Sequence, residues 1–201
     1  MSLQPDHSLS PQKTVGPALQ HEYSSEERAV LLKLAHDAIA MELQGKEVAE
    51  DPPSDHLAEP RGAFTTVYVR GELRGCVGYM LPALSLYRTI AETARSAAFN
   101  DSRFDSISKE ELPYLEVSLS ILSPIRPIRA EDVEIGRDGL IITLHGHRGL
   151  LLPQVPVEHG WDRARFVEEA CRKAGLPRDA WKYGAAVEAF SAEVFGDGNA
   201  K

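Results

Sequence analysis

Residues 115–122 alternate without a break. Leu115, Val117, Leu119 and Ile121 fall on one face, and Glu116, Ser118 and Ser120 on the other. Successive side chains of a strand point to opposite faces, so this is a strand with one dry side and one wet side. Such a strand needs partner strands and an apolar layer against its dry side. Helical spacing elsewhere supplies that layer. Ser24 and Glu27 have capping-box spacing, and Leu31, Leu34, Ala35, Ala38 and Ile39 then recur at the helical period. A core-facing helix is expected to about Gln44, ended by Gly45. Pro82 precedes a second helix over 83–99, with Leu86, Ile90, Thr93, Ala94 and Ala97 on its inner face.

Further strands are expected at 64–70, rich in β-branched and aromatic residues, and at 73–78 after the turn Arg70-Gly71-Glu72. Two more are expected at 139–144 and 149–152, around His145-Gly146-His147-Arg148, and a weaker one at 187–195. Asp162 precedes a helix ending near Ala174, with Gly175 at its C-terminal cap. Residues 45–61 hold Pro52, Pro53 and Pro60 among acidic residues and read as a long exposed loop. Strands and helices interleave without the repeating unit of a doubly wound sheet. The expected class is therefore α+β, with mixed or mostly antiparallel sheets.

Composition removes several function classes. The chain of 201 residues is 43% hydrophobic and 26% charged, with 22 Lys plus Arg, 30 Asp plus Glu and a net charge of −8. An acidic chain without a basic cluster is a poor nonspecific binder of nucleic acid. No apolar run reaches the roughly 20 residues that span a bilayer. The first residues lack the basic-then-apolar pattern of a secretory signal, and two cysteines do not make a disulfide framework. A reducing cytoplasm is the expected location.

The chemistry-bearing stretch is Leu73-Arg74-Gly75-Cys76-Val77-Gly78. In an unbroken strand Arg74 and Cys76 share a face, with Cα atoms roughly 6.6 Å apart. A guanidinium at that range favours the thiolate. Cys76 is the candidate nucleophile, and the competing reading is a small core hydrophobe. A nucleophile needs a base, usually histidine, close in space. His7 and His21 fall in the lead-in, and His36 lies on the first helix. His145 and His147 share a face if their strand runs through Gly146, but two ligands do not make a metal site, so none is assigned. Asp101 and Arg103 flank a turn. They form either a local ion pair or, with Arg74 and Arg148, a clamp for a small anion. Cys171, on a helical stripe with Val167, Ala170 and Ala174, reads as core, and Trp161 and Trp181 as packing residues.

Five segments together carry a resemblance. They are the Leu73–Gly78 stretch, Asp101-Ser102-Arg103-Phe104, Glu111-Leu112-Pro113-Tyr114-Leu115-Glu116-Val117-Ser118, Arg148-Gly149-Leu150-Leu151-Leu152-Pro153-Gln154-Val155 and Gly160-Trp161-Asp162. In this order they resemble the AMME-syndrome chromosomal-region domain family, also called AmmeMemoRadiSam system protein A. One departure is Ser102, where the family usually has proline; Asp101 and Arg103 remain in place. The resemblance implies an α+β domain over 24–195, with a larger and a smaller subdomain across a groove; residues 1–23, rich in Ser, Pro and Gln without periodicity, read as a disordered lead-in, and 196–201 as a tail. It also implies association with a Memo-type protein and a radical-SAM protein; no cofactor is expected. Two functions are open at this point. One is thiol-dependent group transfer or hydrolysis on a small anionic substrate, using Cys76 with Arg74, Arg103, Arg148 and Asp101. The other is a non-catalytic module that presents the groove to a protein partner.

Overall fold

The computed structural model describes residues 22–49 and 51–197. Most of the lead-in expected over 1–23, and most of the tail over 196–201, therefore lie outside the described residues. Tyr23 does not: it is 2% exposed and stacks on His56 at 4.9 Å.

Helix α1 (Ser25–Glu42) starts at the capping box read from Ser24 and Glu27, and its five stripe residues are all buried. A short helix, α2 (Asp55–Ala58), follows. Residues 45–61 are thus not a bare loop, as expected from their prolines. Ser54 caps a single turn that drives Leu57 into the core, at 1% exposure. Then come β1 (Ala63–Val69), β2 (Glu72–Tyr79), α3 (Leu86–Phe99) and β3 (Leu115–Leu122). The second half holds β4 (Arg126–Pro127), β5 (Gly139–Leu144), β6 (His147–Leu151), α4 (Gln154–Glu158), α5 (Arg163–Lys173), β7 (Ala186–Phe190) and β8 (Ala192–Gly196).

All strand pairings are antiparallel, and they form two four-stranded sheets in an α+β fold. The first sheet runs β2-β1-β3-β8 and the second β4-β7-β5-β6. Helices α1 and α3 cover one face of the first sheet, where Leu31, Ile39, Val67, Ile90, Val117 and Leu119 share a core. Helix α5 covers one face of the second, around Leu140, Ile142, Phe166 and Ala170. A third cluster joins the sheets, with Leu122 and Phe64 from the first against Ile141, Leu150 and Phe190 of the second.

Two strand glycines make the helix packing possible. A Cβ on Gly75 would lie 1.9 Å from the Ala97 carbonyl oxygen of α3, and one on Gly149 would lie 2.2 Å from the Ala174 nitrogen just past α5. In each sheet the helix backbone rests on the strand where a side chain would have stood.

Two expectations change. The strand over 187–195 is two strands that belong to different sheets, β7 in the second and β8 in the first. The chain crosses at Ser191, whose N–H donates to Ser123 Oγ at 2.9 Å while the Ser123 N–H donates to the Ser191 carbonyl at 2.9 Å. Ser123 follows β3, so both crossings between the sheets are tied side by side. The β5–β6 connection is a two-residue turn in which His145 (φ 49°) and Gly146 (φ 83°) both adopt positive φ. The paired residues on either side are Leu144 and His147. His145 is therefore in the turn and does not share a strand face with His147.

Candidate functional site

β2 is an edge strand, so alternate N–H and C=O groups along it have no partner strand. At Cys76 the segment after α3 fills that gap. The Cys76 N–H donates to Asp101 Oδ2 at 2.9 Å, and Arg103 Nη2 donates to the Cys76 carbonyl at 3.3 Å. The two side chains also form a fork of their own, Nε to Oδ1 at 2.9 Å and Nη2 to Oδ2 at 2.6 Å. Together they stand in for a neighbouring strand. The Arg103 guanidinium, then the Cys76 N–H, hold the Asp101 carboxyl far below the usual carboxylate range. Asp101 in turn raises Arg103, with a smaller contribution from Cys76.

Arg74 does not share a regular face with Cys76. Val67 pairs with Gly75 and Tyr68 with Leu73, which leaves Arg74 as the extra residue of a β-bulge. Its guanidinium pairs with Glu111 and donates to the Asp105 carbonyl at 3.2 Å. Glu111 also accepts the Ser108 N–H at 2.9 Å, and the Arg74 hydrogen bond, then that N–H, lower its pKa. Asp101, Arg103, Asp105 and Glu111 all belong to one strap laid along the β2 edge. Two of the three arginines of the expected clamp are thus already engaged with carboxylates.

Arg148 comes from the other sheet. It shares a face of β6 with Leu150, and that face of the second sheet packs toward Phe64 and Met80 of the first. Arg148 is exposed and, among the described residues, has no ion pair. It stands on the side where the sheets face each other.

The sulfur of Cys76 lies on the sheet face opposite α1 and α3. Its partner is the Thr66 hydroxyl, which donates to Sγ at 3.3 Å. Register places Cys76, Thr66 and Ser118 side by side on three adjoining strands, with Phe64 and Ser120 one step along. All five are half-buried. Thr66 was not singled out from the sequence, and Ser120 only as one of the polar residues on the wet face of 115–122. Only the register between strands shows that Thr66 flanks the thiol and that Ser120 lies on the same sheet face. Beyond them on β8, Val194 is 51% exposed.

Histidines with a described partner are engaged elsewhere: His36 with Asp197, His56 with Glu27, and His159 stacked on Trp161. Cys171 is fully buried, and burial pushes its thiol up. Neither of two surface cavities is lined by Cys76. One, of about 200 Å³, is lined by Tyr79, Phe99 and Asn100; the other, of about 320 Å³, by Trp161, Arg172 and Lys173. No helix among the described residues is long and apolar enough to cross a membrane.

Two antiparallel sheets, each backed by helices, with a strapped thiol-bearing edge strand, define an α+β domain of the kind expected from the five segments. The AMMECR1 family model matches residues 32–195, and the chain belongs to that family. It is 41% identical to Protein MK0488 of Methanopyrus kandleri over 182 residues, covering 85% of this chain and 88% of that one. It is 40% identical to Protein MJ0810 of Methanocaldococcus jannaschii, covering 85% and 90%. The crystal structure of the uncharacterized protein PH0010 from Pyrococcus horikoshii superposes with a TM-score of 0.67 at 38% identity, covering 83% and 89%.

Proposed function

We propose that this chain is a binding module, and that the sheet face around Cys76, Thr66, Ser118 and Ser120 receives a segment of a partner protein. One observation carries the reading: the ionisable groups gathered at Cys76 are already committed to the edge of β2. Asp101 takes its N–H, Arg103 its C=O, and Arg74 is held by Glu111. Groups that move protons or clamp a substrate anion must be free to exchange partners. These instead fix a strand. The small hydroxyl side chains beside them leave a shallow, half-buried floor with both donors and acceptors. Arg148, from the other sheet, supplies a cation at its border. The partners expected from the family association, a Memo-type protein and a radical-SAM protein, are the ones to test, in a cytoplasmic setting.

Calorimetric titration of the purified chain with each of those proteins from the same organism tests this. Ser120→Arg fills the floor and should weaken binding by about tenfold or more. Cys76→Ser, which keeps the size and the hydrogen bond, should leave affinity within about threefold. Binding by neither partner, or loss of binding in Cys76→Ser alone, overturns the reading.

A second reading keeps the thiol. The Thr66 hydroxyl donates to Sγ at 3.3 Å, the Arg103 guanidinium sits on the Cys76 carbonyl, and Cys76 is partly exposed. On that reading Cys76 is a nucleophile for group transfer or hydrolysis, and Arg148, the candidate arginine without an ion pair among the described residues, meets an anionic substrate.

A further inference from the structure

We infer that the cavity beside Trp161, on the α5 side of the second sheet, binds a small phosphate monoester that carries a flat ring. It lies far from the strapped edge of β2 and owes nothing to Cys76. Gly149 sets it up. Because that residue has no side chain, the last turn of α5 settles onto β6, bringing Arg172 and Lys173 up beside Leu151 and Trp161. The cavity between these residues and Glu169 holds about 320 Å³, at the small end for a ligand pocket.

The charge there runs against the rest of an acidic chain. Glu169, whose side chain is only 10% exposed, is shared by Arg165 at 2.7 Å, Arg172 at 3.0 Å and Arg178 at 3.7 Å. Glu168 lies 3.9 Å from Arg165. Three guanidiniums therefore share two carboxylates. Of these groups Arg172 and Glu169 line the cavity itself together with Lys173, which among the described residues has no ion pair, so the lining carries one positive charge in excess. A helix C-terminus attracts cations on its own. It does not explain three guanidiniums converging on one carboxylate that itself lines an open cavity. A phosphate monoester carries about −1.5 to −2 charges near neutral pH and has oxygens enough to engage Arg172 and Lys173 together. The flat part of the ligand follows from the apolar lining. Leu151 and Trp161 make that side, and His159, stacked on Trp161 at 4.7 Å and 18°, holds the indole plane.

The indole Nε1–H resonances of the full chain test this, since Trp161 and Trp181 are the two tryptophans. The probes are adenosine 5′-monophosphate, adenosine and inorganic phosphate. The monophosphate should shift the Trp161 resonance saturably, with a dissociation constant of about 1 mM or tighter, and the affinity should fall as salt rises. Adenosine, inorganic phosphate with the wild type, and the monophosphate with Lys173→Glu should each bind about tenfold more weakly. Arg172→Gln repeats the test with a milder change, and the rest of the spectrum reports whether each variant is folded. A Trp161 resonance that does not move at millimolar monophosphate overturns the inference. So does equal binding of adenosine, or binding that both charge variants leave unchanged.

Discussion

The Asp101 carboxylate accepts the backbone N–H of Cys76 at 2.9 Å, across 25 positions of sequence. A side chain there occupies the position a neighbouring strand would otherwise take. The same carboxylate is gripped by Arg103, which closes the arrangement on the Cys76 carbonyl. The residues that look most like chemistry in this chain thus do the work of an edge cap.

That cap has a pH dependence with a definite sign. Its interactions depress the Asp101 pKa in the folded state, so the stability it contributes is fully present above the unfolded value of about 3.9. It is lost only as the pH falls through the depressed folded value. Asp101→Asn removes the charge and weakens the fork to Arg103. Amide exchange at Cys76 should therefore be faster in Asp101→Asn than in the wild type at neutral pH. In the wild type, protection should persist well into acid. Equal exchange in the two proteins would contradict the cap.

Glycine substitutions should separate close packing from backbone conformation. Gly75→Ala puts a Cβ 1.9 Å from a backbone oxygen of α3, which cannot yield without moving the helix. It should cost about 3 kcal/mol or more. Gly71→Ala has open space around its Cβ but a φ of +77°, and should cost about 1 kcal/mol. Urea unfolding of both variants gives the order, and a cheaper Gly75→Ala would refute the packing argument.

Ser123 should matter out of proportion to its size. Ser123→Ala leaves the Ser191 N–H without its acceptor at the point where the chain passes between sheets. The expected loss is about 1–3 kcal/mol. Ser106→Ala, which removes only an exposed bond to the Phe99 carbonyl, should cost well under that. Denaturant midpoints at matched slopes decide the comparison.

The two thiols should differ in reactivity. Cys76 is partly exposed, whereas Cys171 is fully buried and its thiol is pushed up by that burial. Iodoacetamide should label Cys76 first in the native chain, as read by peptide mass. Equal labelling would mean that the helix α5 core opens as readily as the sheet face.

The parts of the fold that can be read from the sequence are those set by local periodicity. β3 and the buried stripes of α1 and α3 stand where their spacing puts them, because burial of one face is written into every second or every third and fourth residue. The break between β7 and β8 was hidden, since Ser191 changes the sheet without a glycine or proline to mark it. The bulge at Arg74 was hidden for a similar reason: it is defined by the register of β1, which lies outside its own strand. The site divides the same way. Cys76, Arg74, Asp101 and Arg103 are visible as residue types in motifs. Their partners are not, because Thr66 reaches Cys76 through strand pairing and Glu111 reaches Arg74 through a strap 37 residues away.

Backbone chemical-shift mapping with a Memo-type protein added to the full chain bears most directly on the central claim. If the face around Cys76 is a binding floor, the amides of Thr66, Ser118, Ser120 and Val194 should shift first and furthest, and Cys76→Ser should give the same map. Shifts confined to the α1 and α3 side of the sheet, or no shifts with either that protein or a radical-SAM partner, would contradict it.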